Sequence, residues 1–342
     1  MAEPDTRNPQ RITIIGNGAM ATACGLLLDG RGYAVTMWGP FAEAITDMAR
    51  ARENRQYMPG IPLTETLSLT SEVEAAVEAP DLVIAAIPTQ FMRRTWARFK
   101  GRLPAGVPIV SVAKGVENET LLPPTGIIAE ALEGEDHPLA ALSGPSIASE
   151  LARCLPATVC VASADAGLAR TVQQAFSSDT LRVYTNPDLL GVELAGATKN
   201  VIALAAGILD GLQAGYNAKS ALLSRGLAEI ARLGQAMGAT QETFFGITGV
   251  GDLATTCFCP QGRNRSAGEM LGRGLKLDDV LAQIQGVVEG VPTTKAVMTL
   301  AARQGVEMPI TEAVHAVLFE AMDPIEGISR LMRREPKAER VG

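Results

Sequence analysis

Arg11-Ile-Thr-Ile-Ile15, followed at once by Gly16-Asn-Gly18-Ala-Met-Ala21, is the stretch on which the fold turns. Its first five residues form an unbroken run rich in β-branched side chains, as a strand buried on both faces requires. Two glycines then permit a tight turn, and the apolar periodic stretch that runs to Gly30 reads as a helix. Gly16 serves the turn, Gly18 leaves room for a pyrophosphate, and Ala21 lets the helix pack closely on its strand. Those are the three small positions of a dinucleotide-binding fingerprint, with the helix N-terminus facing the phosphates. The competing reading is a tight strand-to-helix turn with no ligand. A second strand-like run, Tyr33-Ala-Val-Thr-Met-Trp38, stands where a nucleotide-binding unit needs one. The acidic residue that would hold the ribose 2′-hydroxyl of NAD is missing after it, and Gly39-Pro40 stands there instead. That leans the cofactor toward NADPH, or toward use of either NADPH or NADH, with Arg50, Arg52 and Arg55 as candidate partners for a 2′-phosphate.

Working outward, Asp81-Leu-Val-Ile-Ala-Ala-Ile-Pro88, Pro108-Ile-Val-Ser-Val112, Ala157-Thr-Val-Cys-Val161 and Leu181-Arg-Val-Tyr184 add further strands. Ligands of open α/β sheets bind beyond the strand ends, which marks three tags: Pro88-Thr-Gln-Phe91, Ala113-Lys114-Gly115 and Ser143-Gly144-Pro145-Ser146. Lys114 is therefore either aimed at the crevice or an exposed loop lysine. After Tyr184 the strand signal stops and the remainder reads as helices broken by glycine and proline. The expected architecture is a mostly parallel, Rossmann-type sheet domain over 10–188, followed by an all-helical domain over 189–335.

The helical half centres on Gly191-Val-Glu-Leu-Ala-Gly-Ala-Thr-Lys-Asn-Val-Ile-Ala-Leu-Ala-Ala-Gly-Ile-Leu-Asp-Gly211. Glu193, Lys199, Asn200 and Asp210 are too many polar groups for hydrocarbon, so this is a core helix rather than a membrane span. Gly196, Asn200, Ala203 and Gly207 share one nearly bare face, where something can approach closely. Lys199, at its edge, either snorkels to solvent or faces what approaches. Helices are also expected over 217–238 and near 277–285, 292–304, 311–321 and 324–333. The stretch Gly246-Ile-Thr-Gly249-Val-Gly251-Asp252-Leu-Ala-Thr-Thr256-Cys257 reads as a small-residue loop. Gln261-Gly-Arg263-Asn264-Arg265 after it is either part of a connector or an anion pocket at a helix N-terminus.

Composition bounds the function. The 342 residues, 47% apolar and 20% charged, suit a soluble protein of two domains, and a net charge of −7 argues against nucleic-acid binding. The polar start of the chain gives no support for secretion or membrane insertion, and five cysteines without disulfide or zinc spacing suit a cytoplasmic location. No metal is expected. Only two histidines occur, His137 and His315, both in structural or surface settings, so proton transfer falls to lysine, a carboxylate or water.

Together these blocks, with Ala195-Gly-Ala-Thr-Lys-Asn-Val201, Gly249-Val-Gly-Asp-Leu253, Thr256-Cys257, Arg263-Asn-Arg265 and Val288-Glu-Gly290, resemble the NAD(P)-dependent glycerol-3-phosphate dehydrogenases. The resemblance implies reversible hydride transfer between NAD(P)H and dihydroxyacetone phosphate, giving glycerol 3-phosphate for phospholipid synthesis, in a homodimer. It makes Lys199 the proton donor and acceptor, supported by Lys114, Asn200, Asp252 and Thr256. Arg263 and Asn264 hold the phosphate, and Gly144 and Ser146 touch substrate. Gly16, Gly18, Ala19, Met20, Ala21, Pro40, Phe91, Lys114, Ala148, Arg263, Val287 and Glu289 line the cofactor. It also implies that the bare face of the Lys199 helix is small because substrate lies against it. Two departures stand out: Ala19-Met20 where the family usually has Ser and an aromatic, and Gly262 where Ser often precedes the Arg-Asn pair. The first removes a side-chain contact to the pyrophosphate and leaves the backbone cradle. Rival readings are another two-domain reductase acting on a hydroxyacid or ketoacid, which needs no Arg263-Asn264 pair for a phosphate, and a nucleotide sensor without catalysis, which needs no Lys199.

Overall fold

The computed structural model describes residues 9–336 and 338. It divides into two compact units, one made of the described residues through Ala113 with Pro124–Leu189, the other of Lys114–Pro123 with the chain from Leu190 onward.

The first unit is built on eight strands: β1 Arg11–Ile15, β2 Ala34–Trp38, β3 Ser68–Thr70, β4 Leu82–Ala85, β5 Ile109–Ser111, β6 Leu139–Ser143, β7 Ala157–Ala162 and β8 Leu181–Asn186. They lie side by side in the order β3-β2-β1-β4-β5-β6-β7-β8. Every neighbouring pair is parallel except β6 with β7, where Leu142 lies opposite Val161, so this is the mostly parallel, Rossmann-type sheet expected. Helices α1 Ala19–Asp29, α2 Ala42–Ala51, α3 Val73–Ala76, α4 Thr89–Trp96, α5 Pro124–Ala131, α6 Ala148–Leu151 and α7 Ala166–Phe176 connect the strands. Ile12, Ile14, Leu82, Ile84 and Val110 are at most 1% exposed, which is why these strands read as continuous apolar runs. Two strands lack that signal: β3 is three residues at the sheet edge, and β6, Leu-Ala-Ala-Leu-Ser, has no β-branched residue. Between α2 and β3 the chain makes a closed loop, with Leu63 N–H donating to the Arg52 carbonyl at 2.7 Å.

The second unit is helical: α8 Leu189–Gly211, α9 Gly215–Ala236, α10 Gln241–Phe245, α11 Asp252–Phe258, α12 Arg263–Gly272, α13 Leu277–Gln283, α14 Gly290–Gln304, α15 Pro309–Phe319 and α16 Pro324–Met332. α8 is long and apolar enough to cross a bilayer, but 94% of its most apolar window is buried within the protein. Lys114–Pro123, inside the span 10–188 expected to form the sheet domain, belongs here because Val116 and Leu121 sink into the helical core. Gly207 on α8 is small for a different reason from the one the resemblance implied. A Cβ there would stand 1.9 Å from the Arg265 carbonyl oxygen of α12, so a neighbouring helix occupies that part of the face. α12 answers with Gly268, whose added Cβ would meet the Leu204 carbonyl at 2.0 Å. On the far side, Glu229 of α9, 1% exposed, caps α15 by accepting from Ile310 N–H at 2.9 Å, Thr311 N–H at 2.8 Å and the Thr311 hydroxyl at 2.8 Å.

Candidate active site

Within the helical unit, α8 carries Lys199 in its middle, with only 8% of its side chain exposed. It does not snorkel. Its ammonium donates to Asp252 Oδ1 at 2.5 Å and to Thr256 Oγ at 2.6 Å. The other carboxylate oxygen of Asp252 accepts from Lys114 Nζ at 2.7 Å, so one buried carboxylate joins two lysines. Thr256 also donates to the Asp252 carbonyl at 2.7 Å, one turn along α11.

The stretch read as a loop is not one. Ile247–Gly251 forms a single wide π-turn running into α11, with Gly251 N–H donating to the Gly246 carbonyl. Gly249 is required there, because a Cβ would lie 1.8 Å from the Phe244 carbonyl oxygen. The turn delivers Asp252, 1% exposed, to the first turn of α11, where free N–H groups favour a negative charge.

Charge sets the chemistry of this cluster. Burial lowers the Lys199 ammonium from its ordinary 10.5 to about 8; Asp252 opposes the shift and Lys114 adds to it. For Asp252, burial alone would push the carboxyl up, but the two ammonium groups prevail and hold it below the usual carboxylate range. Beside them, burial pushes the Cys257 thiol up to about 12, leaving it neutral.

Asn200 extends the cluster toward α12 and α14. Its Oδ1 accepts from Asn264 Nδ2 at 2.9 Å, and Asn264 Oδ1 accepts from Gly290 N–H at 2.8 Å. The Asn264 side chain is thus engaged by two neighbours, while its backbone N–H and that of Arg263 lie in the uncapped first turn of α12. Arg263 is exposed, with its guanidinium beside Gly286. Val287 is half-buried, and Glu289 precedes α14 as its N-cap. A further charged group escaped sequence reasoning: Asp210 accepts from Lys219 at 2.7 Å and from Arg265 Nε at 2.6 Å, anchoring α12 to α8 and α9. Arg265 meets Asp210 across 55 positions, a pairing with no local signal in the sequence.

The remaining expected residues belong to the sheet unit, at C-terminal strand ends. Gly16 has φ +128, and a Cβ there would stand 2.3 Å from the Ala86 carbonyl, so only glycine fits the turn after β1. Gly18, the N-cap of α1, has no side-chain cap and nothing within 4 Å of an added Cβ. Ala19 and Met20 occupy the first turn of α1, and Ala21 is fully buried, as helix-on-strand packing asks. An uncapped helix start with open space before it fits a dinucleotide pyrophosphate. Pro40 is exposed beyond β2, and Phe91 on α4 is 38% exposed with the Arg94 guanidinium over its ring at 4.6 Å. After β6, Ser146 Oγ donates to the Gly144 carbonyl at 2.9 Å, and Ala148 opens α6. The three arginines suggested for a 2′-phosphate are engaged locally: Arg50 by Asp47 at 2.6 Å, Arg52 by the Leu67 carbonyl at 3.1 Å, Arg55 by Glu53 at 3.5 Å.

Residues 11–169 match the model of the NAD-dependent glycerol-3-phosphate dehydrogenase N-terminus, and 188–329 that of its C-terminus. A glycerol-3-phosphate dehydrogenase [NAD(P)+] of Salinibacter ruber is 44% identical over 96% of both chains. The chain belongs to the NAD-dependent glycerol-3-phosphate dehydrogenase family. The dehydrogenase [NAD(P)+] of Geobacillus thermodenitrificans is 45% identical, again over 96% of each chain. The crystal structure of the Coxiella burnetii glycerol-3-phosphate dehydrogenase superposes with a TM-score of 0.92 at 34% identity, covering 96% of this chain and all of that one. Membership of this dehydrogenase family therefore extends across both units.

Proposed function

We propose that this chain interconverts dihydroxyacetone phosphate and sn-glycerol 3-phosphate with NADPH or NADH, and that Lys199 is its general acid and base. The observation that carries the reading is the buried Lys199–Asp252–Lys114 cluster in a chain that matches dehydrogenases of that name from end to end. When bound, the nicotinamide supplies or takes the hydride at the substrate's central carbon. The uncapped start of α1, with Gly16 and Gly18, holds the pyrophosphate; Ala19, Met20, Pro40, Phe91, Ala148, Val287 and Glu289 complete the cofactor's surroundings.

As the carbonyl carbon is reduced, negative charge gathers on its oxygen. The Lys199 ammonium meets that charge and gives up a proton to it; in reverse, neutral Lys199 removes the hydroxyl proton. A lysine at about 8 serves both directions near neutrality. Asp252 fixes the lysine and keeps its ammonium from being lost to burial, Thr256 orients it, and Lys114 supplies a second positive charge beside the oxygen. Asn200 donates to substrate, while Gly144 and Ser146 touch it. Arg263 and the backbone N–H groups at the start of α12, including that of Asn264, hold the phosphate. The missing acid after β2 supports use of NADP as well as NAD. Family resemblance supports a cytoplasmic homodimer feeding phospholipid synthesis.

The deciding assay compares dihydroxyacetone phosphate with dihydroxyacetone, each with NADH and with NADPH. Turnover of the phosphorylated ketone alone is expected; equal rates on both ketones, or on neither, would overturn the reading.

A further inference from the structure

The closed loop between α2 and β3 has no part in the chemistry above, yet it buries a polar side chain. Asn54 is 1% exposed. Its Nδ2 donates to the Asn17 carbonyl at 2.9 Å and to Thr22 Oγ at 2.8 Å, and its Oδ1 accepts from Tyr57 N–H at 3.2 Å. Asn17 is the middle residue of the glycine turn, and Thr22 lies in the first turns of α1, donating in its own right to the Gly18 carbonyl at 3.0 Å. One amide therefore ties the turn, the helix and the loop together. The loop is itself braced: Glu53 pairs with Pro62, Gly60 N–H donates to the Glu53 carboxylate at 2.7 Å, and Met58 and Leu63 are 3% and 4% exposed.

From this we infer that Asn54 is a positioning residue for dinucleotide binding: it sets the orientation of the Gly16-Asn17-Gly18 turn and so of the N–H groups that receive the pyrophosphate. The physical argument is local. The peptide plane after Asn17 carries both the carbonyl that Asn54 holds and the Gly18 N–H, so fixing the oxygen fixes the direction of that donor. Gly16 N–H is held by the Trp38 carbonyl at 2.8 Å and the Gly18 carbonyl by Thr22; the peptide between Asn17 and Gly18 is held by Asn54 through the Asn17 carbonyl. Buried polar bonds of this kind preorganise a site without touching its ligand. The inference rests on the cofactor reading of the glycine turn.

The test measures NADH and NADPH dissociation constants by fluorescence, the inhibition constant of ADP-ribose, the KM for dihydroxyacetone phosphate, and Tm. Asn54→Ala is expected to weaken both dinucleotides and ADP-ribose about tenfold, the size of one or two lost buried hydrogen bonds, while the substrate KM stays within twofold. Thr22→Val, which at constant shape deletes both the acceptor for Asn54 and the donor to the Gly18 carbonyl, is expected to weaken them about threefold, and Thr22→Ser to restore wild-type values. Should Asn54→Ala fail to fold, the threonine pair decides. Unchanged dinucleotide binding in a folded Asn54→Ala or Thr22→Val protein would overturn the inference. So would a matching rise in substrate KM with a lowered Tm, since that marks general loosening. A wild-type protein that binds neither dinucleotide would bring down the cofactor reading itself, and this inference with it.

Discussion

Lys199 and Lys114 reach one carboxylate from opposite oxygens, at 2.5 and 2.7 Å, so Asp252 is shared by two ammonium groups. In this arrangement Lys199 is both fixed in place and easily deprotonated. Lys199→Ala is expected to lower kcat for dihydroxyacetone phosphate by about 10²–10⁴-fold, the usual worth of a general acid. Dinucleotide affinity, measured by fluorescence, should stay close to wild type. Near-normal kcat would sink the assignment.

The pH profiles should have opposite signs in the two directions. Reduction needs the ammonium form, so its kcat/KM falls as pH rises through about 8; oxidation needs the neutral amine and rises through the same value. Asp252→Asn removes the charge that supports the ammonium, so both limbs should move to lower pH. Initial-rate profiles from pH 6 to 10 or thereabouts read this directly, and an unmoved limb contradicts the proposed coupling.

Arg263 is expected to act on binding. Arg263→Ala should raise the KM for dihydroxyacetone phosphate by about 10- to 150-fold, the loss of a charge-assisted contact. It should also narrow the preference over dihydroxyacetone, with kcat changed far less. A KM that does not move would place the phosphate elsewhere.

Gly207→Ala tests the helix contact. Its methyl would meet the Arg265 carbonyl at 1.9 Å, so α8 and α12 must part, at a cost of about 1–3 kcal/mol. Tm should fall, and the substrate KM should rise because α12 starts with Arg263. An unchanged Tm would mean that the contact yields freely.

Glu229→Ala strips the cap from α15, leaving two backbone N–H groups and the Thr311 hydroxyl without their acceptor. A loss of about 2–3 kcal/mol in urea unfolding is expected, with kinetics preserved in the folded fraction. A change below half a kcal/mol or so would show that water replaces the carboxylate.

Much of the sheet unit was legible because its signals are local. The β-branched runs of β1 and β4 and the spacing of Gly16, Gly18 and Ala21 each state their own conformation. Lys199 and Asn200 stood out because polar residues inside an apolar helix call for partners. Long-range contacts left no local signal: the family resemblance alone grouped Lys114 with Asp252, which meet across 138 positions, and nothing pointed to Asn54 meeting Thr22 across 32. The stretch 246–257 was misread for a different reason. Its glycines carry the signal of a flexible loop, whereas here Gly249 admits the Phe244 backbone and a π-turn follows. Gly207 likewise showed that a bare face was needed without showing that a helix covers it.

The excursion of Lys114–Pro123 into the helical unit has a consequence for how such a protein can be taken apart. A fragment beginning at Leu190 would carry Lys199, Asp252 and Arg263 but neither Lys114 nor the apolar plug of Val116 and Leu121. The two units are therefore not interchangeable modules that a single recombination event could shuffle. Any ancestor or chimera that exchanged one for the other at a single crossover would have had to replace that lysine from its own loop.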